Sequence, residues 1–159
     1  MNPAPIPEFM RRAIALATEN VRSGAGGPFG AVIVREGRVI AESANRVTQE
    51  NDPTAHAEVR AIRAACRELG VFSLRGCEIY TSCEPCPMCL SAIYWARMDR
   101  IWYGNSSADA ARVRFDDAFL YREMALPAAE RSVPASMLLH DEAWESFQVW
   151  LDTPNKILY

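Results

Sequence analysis

His56-Ala57-Glu58, followed 30 residues after the histidine by Cys86-Pro87-Met88-Cys89, constrains this chain more than any other feature of it. The two segments supply three good metal ligands and one carboxylate that the metal does not need. A zinc ion that only holds a fold together closes its shell with four protein side chains, whereas one that works on a substrate keeps three and leaves a corner open. A fold that brings one histidine and two distant thiols onto a single ion must set two helix starts side by side. Cys86 and Cys89 straddle one start, because Pro87 suits the first helical position, where its missing N–H costs nothing, and residues three apart share a face. The positive end of that helix favours the thiolate form that binds metal. His56 stands at the head of the other helix, after the turn-forming Asn51-Asp52-Pro53 and with Thr54 as its capping candidate.

Glu58 lies two positions beyond His56, so on a helix it points to a different side of the axis and is better placed over the open corner than on the ion. Zinc lowers the pKa of bound water to roughly 7, and a neighbouring carboxylate can take the released proton and deliver it to a leaving group. H-x-E followed by P-C-x-x-C is the pattern of zinc enzymes that remove amines from nucleobases. Either half alone has a plainer meaning: a C-x-x-C can be a redox pair, with Cys83 as a further disulfide partner, and a single histidine is usually packed or solvated. Cys83 has no place in the pattern, and Cys66 and Cys77 fall in apolar-periodic stretches that read as buried thiols.

The length, 159 residues with 50% hydrophobic content, suits a single domain with a sizeable core. Five cysteines, an odd number in a chain that starts without a basic segment or a long apolar run, favour reduced thiols and metal binding over a disulfide framework. A cytoplasmic enzyme is the expectation. A net charge of −3 lacks the positive footprint of a polynucleotide binder and favours a small substrate; Arg60, Arg63, Arg67, Arg97 and Arg100 are the material for a local basic patch, or for a solvated helix face.

Periodicity predicts alternating helices and strands. Phe9, Met10, Ala13, Ile14, Ala17 and Val21 mark an amphipathic helix that ends in the loop Gly24 to Pro28. Phe29 to Val34 and Val39 to Asn45 form a hairpin turning at Gly37. The helix of His56 and Glu58 shows Val59, Ile62, Cys66 and Leu69 on its core face and stops at Gly70. Gly76 to Ser82 is a strand that runs into the cysteine helix, which continues to about Arg97. Arg100 to Gly104 is a short strand, Ser106 to Arg112 and Ala118 to Met124 short helices, Ser132 to Leu139 a fifth strand, and Ala143, Trp144, Phe147 and Leu151 mark a final helix. Such interspersion argues for an α/β sandwich around a mixed sheet.

From about Gly26 onward the chain resembles the zinc enzymes of the cytidine deaminase fold. The resemblance is carried by Gly26-Gly27-Pro28-Phe29-Gly30-Ala31, Asn51-Asp52-Pro53-Thr54-Ala55-His56-Ala57-Glu58 and Tyr80-Thr81-Ser82-Cys83-Glu84-Pro85-Cys86-Pro87-Met88-Cys89. Ala92-Ile93-Tyr94-Trp95-Ala96-Arg97, the Phe115-Asp116-Asp117 step and an aromatic end after Asn155-Lys156 are similar to the guanine deaminase branch of that family. The resemblance implies a three-layer α/β/α fold with a five-stranded mixed sheet, and a homodimer whose C-terminal segments, from about residue 132 to 159, are exchanged. It implies one zinc per chain on His56, Cys86 and Cys89, with Glu58 as proton shuttle and Asp117 assisting. The base pocket would use Phe29 and Trp95 as walls, Asn45 and the Ala57 N–H as hydrogen-bond partners, and Tyr159 as a lid. The implied reaction is attack of zinc-bound hydroxide on C2 of guanine, giving xanthine and ammonia.

Each pocket residue has a second reading from sequence. Phe29 and Trp95 also look like core aromatics, Asn45 also ends a strand, Asp117 also suits the cap of the helix near Ala118, and Tyr159 is a terminal residue. Arg114 stands where the branch commonly has glycine, and the ending Ile157-Leu158-Tyr159 is more apolar than its charged counterpart. A tRNA adenosine deaminase, a cytosine deaminase and a zinc-stabilised fold without turnover are the other readings; the intact Glu58 argues against the last.

Overall fold

The computed structural model describes residues 4–158. Among them the chain separates into two compact units, one ending at Asp117 and the other beginning at Ala118.

The first unit is built on four strands: β1 (Gly30–Arg35), β2 (Arg38–Ala44), β3 (Cys77–Cys83) and β4 (Arg100–Asn105). Their order is β2-β1-β3-β4, with β1 antiparallel to both neighbours and β3 parallel to β4. β1 and β2 form the expected hairpin. Its two-residue turn, Glu36-Gly37, has positive φ at both positions, the twist-compatible geometry that glycine tolerates without strain.

Alternation along β1 sends its side chains to two different cores. Val32 and Val34 pack with Ala13, Phe9, Met10 and Leu16 of α1 (Pro7–Arg22), together with Tyr80 and Trp102. Ala31 and Ile33 face the other way, against Ala57, Ala61 and Ala65 of α3 (Ala57–Leu69) and Ile93 of α4 (Pro87–Trp95). Helix, sheet and helices therefore form three layers. Alanine recurs on the inner face of α3 because a small side chain lets the helix sit close to the sheet, and that closeness brings the start of α3 beside the start of α4. A short helix, α2 (Val47–Glu50), which the sequence pattern did not reveal, lies between β2 and α3. After β4 comes α5 (Ser107–Arg112).

The second unit contains α6 (Ala118–Ala125), a 3-10 turn at Ala128–Glu130, and α7 (His140–Asp152). The predicted fifth strand over Ser132–Leu139 is not formed; the described residues have a single sheet, and it has four strands. Pro134 removes one ladder donor from that stretch, and among the described residues the unit it belongs to has no strand against which the segment could pair. Among the described residues no helix is long and apolar enough to cross a membrane.

Candidate metal centre and active-site cavity

Two helix starts deliver the ligands. His56 is the N-cap of α3 and Cys86 the N-cap of α4, both in extended backbone conformation, with Pro87 opening α4 as its missing N–H allows. Thr54 is not the cap the sequence suggested. Its N–H and hydroxyl both bond Asp52 Oδ1 at 2.7 Å, which closes a tight turn two residues earlier and leaves His56 as the last residue before the helix.

His56 Nδ1 lies 3.6 Å from Cys86 Sγ and 3.4 Å from Cys89 Sγ. A tetrahedral zinc, with Zn–N near 2.0 Å and Zn–S near 2.3 Å, would separate a nitrogen from a sulfur by about 3.5 Å. The trio therefore fits one zinc without rearrangement, and three of its four corners would come from the chain. Its ligand atoms all lie within 4.8 Å of one another. The Cys86 thiol is pulled down to about 4 by a hydrogen bond from the Cys89 thiol, with His56 adding to the effect; the same hydrogen bond and burial push Cys89 up. His56 is raised by its contact with Cys86. The pairing favours the thiolate form at Cys86, and a metal would take the place of the proton on Cys89.

Glu58, only 7% exposed, sits one residue into α3. Burial raises its pKa to about 7, against the lowering influence of hydrogen bonding to its own backbone N–H. A carboxyl titrating there can both hold and release a proton near neutrality.

These groups open into a cavity of about 260 Å³ lined by His56, Glu58 and Cys86 together with Phe29, Asn45 and Asp117. Its surface is mostly apolar with a few polar groups, the character of a small-molecule site. Phe29 meets Phe115 edge to face, centroids 4.9 Å apart, which stiffens one wall. Burial, and then the Cys86 thiolate, raise the Asp117 carboxyl. Ala57 is fully buried in the core and its N–H is one of the first-turn donors that α3 itself leaves without an acceptor.

Trp95 is elsewhere. It is 67% exposed at the end of α4 and lines a shallow surface hollow with Ser91, Tyr94 and Arg97, not this cavity. Tyr159 lies outside the described residues. The cavity also includes Cys83, Glu84 and Phe115, which the sequence reading had not assigned to it. Phe115 was within reach, one step from Asp117. Cys83 and Glu84 were not, since only the end of β3 running into α4 shows that the residues before Pro85 turn inward. Cys83 is a buried thiol, pushed up to about 11 chiefly by burial. Three of the arginines named as patch material have partners: Arg60 pairs with Glu50, Arg63 reaches Asp52 at 4.0 Å, and Arg100 covers the Trp102 ring at 5.0 Å.

Comparison with known proteins agrees with this geometry. Residues 5–105 match the family model of the cytidine and deoxycytidylate deaminase zinc-binding region. The chain is 54% identical over 151 residues to a guanine deaminase of Bacillus subtilis (strain 168), an alignment covering 95% of this chain and 97% of that one. It is similar to the X-ray structure of guanine deaminase from Bacillus subtilis with a TM-score of 0.95 at 52% identity, covering 98% of this chain and 99% of the other. A tRNA-specific adenosine deaminase of Agrobacterium fabrum is 53% identical over 77 residues, which is 48% of this chain and 51% of that protein.

Proposed function

The chain belongs to the cytidine and deoxycytidylate deaminase zinc-binding family, and from that premise we propose that it is a zinc-dependent hydrolase that removes the amine of guanine, giving xanthine and ammonia. The observation that carries the proposal is the His56, Cys86 and Cys89 trio, spaced for one tetrahedral ion, with His56 and Cys86 lining the same cavity as the buried carboxyl of Glu58. Similarity to guanine deaminase extends over nearly the whole chain at 54% identity, whereas a tRNA-specific adenosine deaminase aligns over 48% of it and a solved tRNA:A34 deaminase covers 80% of it at 38% identity with a TM-score of 0.63.

Zinc, when bound, supplies Lewis acidity that lets a water molecule lose a proton near neutral pH. Glu58 takes that proton, passes it to the ring nitrogen beside C2, and carries a second proton to the departing amine. Its pKa of about 7 suits both directions of transfer. Phe29 lies along the base as an apolar wall, and Asn45 and the Ala57 N–H hold its edge. Asp117 accepts from the N1–H and amino group of guanine and assists the second transfer. Adenine, whose N1 carries no proton, would leave that acceptor without a donor, a mismatch that costs affinity.

We also propose that the chain acts as a single catalytic domain in a cytoplasmic homodimer, in which the segment from about residue 132 to 159 passes to the partner and Tyr159 closes its cavity over the base. Supporting this, Trp144, Phe147 and Leu151 of α7 and Met137, Leu138, Ile157 and Leu158 around it are exposed, more apolar surface than an unpartnered monomer usually shows. Trp95 and Tyr94, exposed on α4, belong to the same picture. All five cysteines are free, as a reducing compartment would keep them.

Ammonia release from guanine, cytosine, adenine, guanosine and a tRNA anticodon stem is the test. Guanine should be turned over in preference to the rest, and activity confined to the tRNA would overturn the proposal. Sedimentation should give a dimer; a monomer with full guanine turnover would remove the exchanged segment from the site.

A further inference from the structure

Asn20 lies in the last turn of α1 and is only 3% exposed, an unusual place for an amide. Its Nδ2 donates to the carbonyls of Gly27 and Asn45, each at 2.8 Å, and its Oδ1 accepts from the Arg46 guanidinium. One side chain thereby ties a helix, the loop before β1 and the end of β2 together. The junction is tight. A Cβ at Gly26 would stand 2.5 Å from the Asn45 carbonyl oxygen and 3.0 Å from Asn20 Nδ2, so only glycine fits there.

Both tied segments hold Asn45. Its Oδ1 accepts from the Gly27 N–H at 3.4 Å and from the Val47 N–H at 3.3 Å. Because both partners are main-chain donors, the oxygen must be the end that faces them, and a turned amide would set donor against donor. The Asn45 NH2 is then the end presented to the cavity, which Asn45 lines together with Gly27 and Val47. Buried side-chain polar atoms without a partner are absent among the described residues, which agrees with an NH2 that reaches open cavity.

We propose that Asn20 is a positioning residue that commits Asn45 to donate, and not accept, a hydrogen bond into the cavity, so that the site selects a ring carrying a lone-pair nitrogen or a carbonyl at that edge. The identity of the ring rests on the deaminase reading above; the orientation of Asn45 does not. Asn20 does not line the cavity. It acts by holding the Gly27 N–H where Asn45 Oδ1 needs it.

Steady-state kinetics on the zinc-loaded full chain test this, using whichever base of the substrate panel the unaltered protein turns over best. Inactivity on guanine would then count against the functional reading and leave this test intact. Asn20→Ala should raise KM about tenfold with kcat nearly unchanged, the signature of lost binding common to ground and transition states. In an Asn45→Ala background the same change should add less than about twofold, because its route of action is gone. Asn20→Asp, which keeps the Arg46 contact but sets a carboxylate against two carbonyls, should raise KM further. Where Asn20→Ala does not fold, Arg46→Met leaves both Asn20 Nδ2 bonds in place while removing the guanidinium from the Asn20 oxygen and from the Asn45 carbonyl, 3.3 Å away, and should raise KM about two- to threefold, again with no addition in the Asn45→Ala background. An unchanged KM in a folded variant, or effects of Asn20 and Asn45 that simply multiply, would overturn the proposal.

Discussion

Helices α3 and α4 begin differently from α5, although all three start in the first unit. Ser106 caps α5 in a reciprocal box: its hydroxyl accepts from the Asp109 N–H at 3.2 Å, and Asp109 accepts in return from the Ser106 N–H at 3.1 Å. At α3 and α4 the N-cap residue is His56 or Cys86, and neither side chain makes a capping hydrogen bond to a first-turn N–H. Both turn toward each other and toward Cys89 instead. A good cap contributes about 1 kcal/mol, so two helices forgo that stabilisation at the place where a metal would return far more of it. The difference separates a residue chosen to start a helix from one chosen to use the helix start.

Breaking the ligand set should have the largest effect. Cys86→Ser or His56→Asn should reduce zinc by elemental analysis from one per chain to a trace, and turnover by about 10⁴-fold or more, since the chemistry needs the ion. Full zinc occupancy in either variant would remove that residue from the ligand set. Glu58→Gln, in the first turn of α3, should keep zinc and melting temperature while turnover falls by about 10²- to 10⁴-fold. That variant separates the role of the carboxylate from that of the metal.

Stripping zinc from the unaltered protein with a chelator should lower its stability by several kcal/mol in denaturant titration. Compared without metal, Cys86→Ser and His56→Asn should then be more stable than the unaltered chain by about 0.5–1 kcal/mol, because each restores a residue that can cap. This is the sharpest test of the comparison: a loss of metal-free stability would mean that His56 and Cys86 already serve their helices. Ser106→Ala should cost about 1 kcal/mol and leave zinc content and KM unchanged. Since α5 lines the cavity with Ala110 and its Ser107 N–H donates to Glu84 at 2.9 Å, a change in KM there would show that the cap also sets that wall.

Much of this arrangement was legible in the residues. Val32 and Val34 against Ala31 and Ile33 announce a strand buried on both faces, and Pro87 after Cys86 announces a helix start, because strand alternation and the proline ring act within a few residues. Local rules failed where a partner decides the outcome. Ser132–Leu139 looks like a strand but, among the described residues of its own unit, meets no strand to pair with, and strand propensity without a ladder has little to express. Thr54 resembles a cap, yet the turn it closes with Asp52 leaves it two residues before the N-cap His56. Trp95 resembles a pocket wall, but its position at the end of α4 puts it at the surface of this chain. Cys83 and Glu84 carried no spacing signal, since their approach to the cavity depends on how β3 enters α4.

The order of residues alone determined which side chains are able to bind a soft divalent metal and which carboxylate is left over, because ligand chemistry belongs to residue type and helix starts to neighbouring residues. Only the tertiary structure decided that His56 lies 3.4 and 3.6 Å from two thiols, that burial lifts Glu58 to about 7, and which end of the Asn45 amide faces the cavity. Distance, desolvation and hydrogen-bond partnership arise between segments far apart in the chain, and they exist only once the sheet has brought α1, α3 and α4 against it.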